Sequence, residues 1–181
     1  LDHSAIARLA IEGVPQAAMN DLIDIGYSRE DFESTALTTK AKGIRVFSFS
    51  PDFSLPSFRH KATGTVVPYC FHLNGQVTDP LKVAPDARGT LDERKARAVN
   101  TLARNFESAG FTSEVDFKQN VRTVLRNVPM HSRAYVILSR DTYGDDNRKA
   151  PPAARLNRWL IEVVGEFENA TAIPIVQFAK D

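Results

Sequence analysis

The 181-residue chain is 43% hydrophobic and 25% charged, ordinary values for one globular domain with a sizeable core. Its 23 basic and 22 acidic residues leave a net charge of +1. No run of five like charges interrupts the sequence, so no electrostatic footprint for nucleic acid or an anionic membrane is expected. Cys70 stands alone, which excludes an internal disulfide and a thiolate metal cluster, and no apolar stretch reaches the ~18 residues of a membrane span.

In chain order, Ser4 to Glu12 carries Ile6, Leu9 and Ala10 at helical spacing, with Ser4 as N-cap and Gly13 as stop. Pro15 to Ile25 repeats the pattern with Met19, Leu22 and Ile23, ending at Gly26. Ile44, Val46, Phe47 and Phe49 form a β-branched and aromatic run between Gly43 and Pro51, which predicts a central strand. Residues 51 to 90 then hold five of the ten prolines, with Gly64, Gly75 and Gly89. This stretch predicts an irregular insertion, with a turn over Arg59 to Gly64 and a short strand over Val66 to Leu73.

Thr90 and Glu93 have capping-box spacing, and the stripe Leu91, Val99, Leu102, Phe106 predicts a helix running to Gly110. Phe117, Val121, Val124, Leu125 and Val128 share one face of a following helix, opened by Asp116 and stopped by Pro129. Ala134 to Leu138 is wholly apolar and predicts a buried strand, after which a polar loop runs from Ser139 to Ala150. Pro151 and Pro152 open a helix whose Leu156, Trp159, Leu160, Val163, Val164 and Phe167 face a sheet, and Ala172 to Phe178 predicts the last strand. Strands alternating with helices predict a single α/β domain over residues 1 to 181. Its architecture would be three-layer, with a mostly parallel central sheet and helices on both faces; Trp159 and Phe167 should be buried.

Two sets of residues have chemical character. Asp2, His3 and Ser4 gather a nucleophile, a base and an acid at a helix start. The helix dipole and free backbone donors there suit a developing oxyanion, although Ser4 is equally the commonest kind of N-cap. Arg59, His60, Asp141, Tyr143 and Asn147, with Tyr69, are polar or aromatic groups on loops; Asp141 leaves the carboxyl end of a parallel strand, where ligands bind in open sheets. Asp141, Asp145 and Asp146 lack calcium-loop spacing, and His3, His60, His72 and His131 lack zinc spacing, so no metal is expected. Phosphate-cradling glycine motifs and the G-x-S-x-G elbow do not occur, so no cofactor is expected either.

Asn120, Val121 and Arg122 on their helix, the strand Tyr135 to Leu138, the run Arg155, Leu156, Asn157, Trp159, Leu160 and the strand Ile173 to Phe178 together resemble the closing half of an SGNH (GDSL-like) hydrolase. Val46 to Phe49 and the opening Asp2, His3, Ser4 would be that family's central and first blocks. The resemblance implies an esterase or acyltransferase acting on an O-acyl group of a carbohydrate or similar polar small molecule, with Ser4 as nucleophile. Its base would be a histidine: His3, His60, His72, His131, or one beyond Asp181. The alternative is a binding domain that holds a sugar or acidic ligand in the same strand-end cleft without chemistry. Substrate identity, compartment and oligomeric state stay open.

Overall fold

A computed structural model describes residues 3–33, 37, 39–53, 55–73, 76–84, 89–139 and 153–174. Three parallel strands, β1 (Ile44–Ser48), β7 (Arg133–Ile137) and β8 (Ala170–Ile173), form one sheet in the order β1-β7-β8. Val46 pairs with Tyr135, and Tyr135 with Thr171, so the register is continuous across the sheet. The expected last strand is therefore present over 170–173, and its predicted continuation to Phe178 lies outside the described residues.

One face of this sheet is packed. Phe47, Ala134 and Val136 point into a core shared with α1 (Ser4–Glu12), α4 (Glu114–Arg126) and α5 (Ala153–Val164). Phe117 stands edge-on to Phe49 at 6.3 Å and tilted against Trp159 at 6.0 Å, which ties β1, α4 and α5 into one aromatic contact. Trp159 is 7% exposed, while Phe167 is only partly buried beyond the end of α5. On the opposite face Ile44, Val46 and Ile173 are 70%, 60% and 39% exposed. Helices on both faces were expected; among the described residues they cover one. The strand pattern explains the mistake, because Ile44 and Val46 look as core-forming as Phe47 and Phe49 although alternation sends them to the other face.

A second, antiparallel sheet lies outside what the hydrophobic pattern indicates. β2 (Ser57–His60) pairs with β3 (Val66–Pro68) on one side and β6 (Phe106–Gly110) on the other. A separate ribbon joins β4 (Phe71–Leu73) to β5 (Gln76–Thr78). The stretch read as an irregular insertion thus supplies most of a second sheet. It packs with α1, α2 (Gln16–Asp24) and α3 (Glu93–Asn105) into a second core containing Leu22, Phe58, Val67, Leu102 and Phe106. Strands of three or four residues interrupted by Pro56 and Pro68 carry too little period-2 signal to be recognised alone.

Helix boundaries moved for local reasons. Asp92, not Thr90, caps α3, its side chain accepting from the Lys95 amide. This helix ends at Asn105, because Phe106 to Gly110 is used as a strand; Gly110, at φ 72°, ends that strand rather than a helix. Ser113 caps α4, three residues before the predicted start, by accepting from the Asp116 amide at 3.1 Å. The most consequential shift concerns α1. His3 is its N-cap: the imidazole Nδ1 accepts from the Ala5 amide at 3.2 Å, so Ser4 is the first helical residue and its hydroxyl is free for another partner.

α1 is the wall between the two cores. Ala7 and Ala10 face the parallel-sheet core, and Ile6 and Leu9 face the second one. Small residues suit a helix buried on two sides, since they let neighbouring elements approach its backbone. That packing fixes the position of the helix start, where the functional candidates lie.

Candidate functional site

The start of α1, the turn after β1 and the middle of α4 converge on one buried cluster. β1 ends at Ser48, and a short 3-10 turn over Ser50–Phe53 brings Asp52 back to the start of α1. Asp52 meets Ser4 twice: its Oδ2 accepts from the Ser4 amide at 2.8 Å, and its Oδ1 accepts a short hydrogen bond from the Ser4 hydroxyl. Asn120 completes the arrangement from α4, its Nδ2 donating to the Ser4 Oγ at 3.1 Å. Asn120 shares the apolar stripe of Phe117, Val121 and Val124, so a helix face that otherwise packs core turns one amide toward the serine.

Ser4 and Asp52 have no exposed surface, and His3 has 5%. Burial pushes the Asp52 carboxyl up to about 7, and the two hydrogen bonds from Ser4 only partly offset it. Burial pushes His3 down to about 3, so its imidazole is neutral at pH 7. With Nδ1 accepting from the Ala5 amide, the ring proton sits on Nε2. That Nε2 is buried without a hydrogen-bond partner among the described residues. His3 Nδ1 also lies 3.5 Å from Asp52 Oδ1.

Of the groups singled out in the sequence, His3 and Ser4 are together in this cluster, and Asp2 lies outside the described residues. The other histidines hydrogen-bond elsewhere. His60 bridges Asp21 and Thr63, each at 2.9 Å. His72 is exposed beside Cys70 Sγ at 3.2 Å, and His131 Nε2 lies 3.2 Å from the Lys40 carbonyl. The hydrogen-bond acceptor on the Ser4 hydroxyl is therefore a carboxylate, where a histidine had been expected. Tyr69 stacks edge-on against Phe58, and Asp141, Tyr143 and Asn147 lie outside the described residues. No group of three or more potential metal ligands occurs among the described residues. Nor is any described helix long and apolar enough to cross a membrane.

A cavity of about 410 Å³ adjoins the cluster, bounded by α1, the β2–β3 hairpin and the segment leading into α4. Ala5 and Asn120 belong to its wall, so the residue after the serine and the amide that donates to it both face this space. Arg59 lines it as well, whereas His60 on the same strand does not. The strand alternation separates them: Arg59 is exposed and His60 is 3% exposed.

Sequence reasoning missed Asp52 and Asn120. Asp52 had a signal, a carboxylate four residues beyond the carboxyl end of a parallel strand, the same rule that had singled out Asp141. Asn120 had a weaker one, a polar residue in register with an apolar helix face. Compared with protein families, with curated proteins and with solved structures, the chain has no match.

Proposed function

We propose that this chain is a serine-dependent ester hydrolase or acyltransferase of SGNH-like type. Its substrate would be the O-acyl group of a carbohydrate or similar polar molecule. Ser4 is the nucleophile and Asp52 is the base. The observation that carries this reading is the Ser4 hydroxyl held between the Asp52 carboxylate and the Asn120 amide at a helix N-terminus.

The chemistry follows from these groups. Ionised Asp52 takes the Ser4 hydroxyl proton as Oγ forms a bond to the acyl carbon. The negative charge that develops on the acyl oxygen is stabilised by the start of α1 and by the Asn120 amide. Collapse of the tetrahedral intermediate breaks the ester bond, and the departing alcohol takes the proton from Asp52. Water, or a second alcohol in the transferase case, then attacks the acyl-serine with Asp52 again accepting the proton, and as the bond from the acyl carbon to Oγ breaks, Asp52 returns that proton to Ser4. A carboxylate of ordinary pKa is a weak base for an alcohol; raising Asp52 to about 7 brings it nearer to the task. His3 holds the first turn through its ring Nδ1 and so positions Ser4 rather than deprotonating it.

The second reading, a binding domain without chemistry, is favoured by one observation: Ser4 and Asp52 have no exposed surface, so a substrate reaches Oγ only if a neighbouring side chain yields. Hydrolysis of a short-chain acyl ester by the intact chain and by Ser4→Ala separates the two. The hydrolase reading expects the variant to lose about a thousandfold or more in kcat/KM, far more than the modest fall in melting temperature that follows from the lost buried hydrogen bonds. Equal rates, or no turnover by the intact chain across an acyl-ester panel, would leave the binding reading.

A further inference from the structure

The cavity beside Asn120 carries features that the Ser4 cluster does not need. Ser57 lines it from the start of β2, is 2% exposed, and its hydroxyl has no hydrogen-bond partner among the described residues. A buried hydroxyl without a partner is destabilising, so such groups need an explanation, and a ligand that supplies the missing bond is one. Thr63 and Thr65 present two further hydroxyls on the adjoining turn, 2.8 Å from one another.

The charges in the wall cancel. Arg8 and Arg59 oppose Glu12 and Asp116. Arg8 is already paired with Glu12 at 2.8 Å, and Arg59 lies 3.7 Å from Glu107. Asp116 accepts from the Ser113 hydroxyl at 2.7 Å. A phosphate or carboxylate would enter a space in which each guanidinium already faces a carboxylate and in which Glu12 and Asp116 repel an anion. A wholly apolar ligand would leave the buried Ser57 hydroxyl without a partner. The occupant that suits paired planar charges, several hydroxyls and the apolar surfaces of Leu9, Val66 and Phe111 is neutral and polyhydroxylated, with C–H faces between its hydroxyls. A cavity of about 410 Å³ is at the small end of ligand sites, which run roughly 300–1,000 Å³.

We infer that this cavity is a binding site for one uncharged sugar ring, with Ser57, Arg59 and the Thr63–Thr65 turn on its hydroxyls and Phe111 and Val66 against its C–H face. Where the cavity serves Ser4, which rests on the hydrolase reading, the bound ring is the alcohol part of the ester and Asn120 links the two. Sugar binding itself does not depend on that chemistry.

The test uses the full chain carrying Ser4→Ala, so that binding is read without turnover. Methyl glycosides of glucose, galactose, mannose and xylose, methyl glucuronide and inorganic phosphate are titrated to tens of millimolar, and backbone amide shifts are followed by NMR. At least one neutral glycoside should shift Gly13, Gly64 and Phe111 together, and the glucuronide and phosphate should bind no better. Ser57→Ala should weaken that glycoside about fivefold while leaving the melting temperature unchanged or higher, because it removes an unsatisfied buried group. Arg59→Ala should weaken it as much or more. Preference for glucuronide or phosphate would overturn the assignment in favour of an anion site. No shift with any neutral glycoside would overturn it outright, as would a Ser57→Ala variant that loses stability but not affinity. Failure of the hydrolase reading looks different: sugar binding persists, and esters are not turned over.

Discussion

Among the described residues, the polar clusters around Ser4 and around His60 have nearly the same composition, and they are finished differently. Around His60, every group is matched: Nε2 meets the Asp21 carboxylate at 2.9 Å, Nδ1 meets the Thr63 hydroxyl at 2.9 Å, and Asn105 donates to the same Asp21 oxygen at 2.8 Å. The ring also rests edge-on against Phe106, with centroids 5.1 Å apart. This cluster ties α2, the β2–β3 hairpin and the end of α3 together. Around Ser4, by contrast, His3 Nε2 has no partner among the described residues, the Asp52 carboxyl is pushed up to about 7, and a cavity opens beside Asn120. A saturated network holds elements in place. An unsaturated one beside a cavity is what a site not optimised for stability would look like.

The contrast breaks if the two clusters respond alike to substitution. The largest expected effect is on chemistry. Asp52→Asn keeps the shape of the side chain but removes the base, and should lower kcat/KM for an acyl ester by about a hundred- to a thousandfold. It should also abolish the rise of activity with pH through about 7 that the hydrolase reading expects of the intact protein as Asp52 ionises. A variant that retains both the rate and the rise would take Asp52 out of the mechanism.

His60→Ala tests the other cluster. It leaves Asp21 and Thr63 without their shared partner and opens a gap beside Phe106, so urea unfolding should show a loss of about 2–4 kcal/mol. Turnover per folded molecule should stay within about threefold of the parent. A selective loss of turnover with stability intact would instead make His60 part of the site.

Linkage to pH sharpens the Ser4 side further. Asp52 is raised from 3.8 to about 7, so its contribution to stability is fully present below about 3.8 and is lost as pH rises to about 7. His3 is lowered from 6.5 to about 3, so its contribution is present above 6.5 and is lost as pH falls toward 3. Between about 4 and 6.5 the folded chain keeps on Asp52 the proton that the unfolded chain carries on His3, and the two slopes oppose one another. Thermal melts over this range should therefore show the intact protein losing ground relative to Asp52→Asn as pH rises, and gaining ground relative to His3→Gln. Parallel profiles for all three would mean that neither group is held in the protonation state the geometry gives it.

The smallest expected effect is at Asn105. Asn105→Ala removes one donor from an oxygen that His60 still contacts, and should cost about 1 kcal/mol in urea unfolding with turnover and its pH profile unchanged.

The sequence by itself determined the parallel half of this protein. The apolar runs 44–49 and 134–138 mark two of its strands, and the amphipathic faces of α1, α4 and α5 carry strong periodicities whose burial follows from local pattern alone. Proximity of Ser4 to His3 was also readable, being one residue of chain. The tertiary structure alone decided the rest. The β2–β3–β6 sheet joins strands of three to five residues across about fifty positions, and no local signal reports such pairing. The partner of Ser4 was decided the same way, because Asp52 and Asn120 lie 48 and 116 residues away and come within hydrogen-bonding distance only when α1 is pressed between the two cores. Even the role of His3 was settled there. A helix start accepts either of two neighbouring side chains as its cap, and the one left over, Ser4, is the one the fold could bring to a carboxylate.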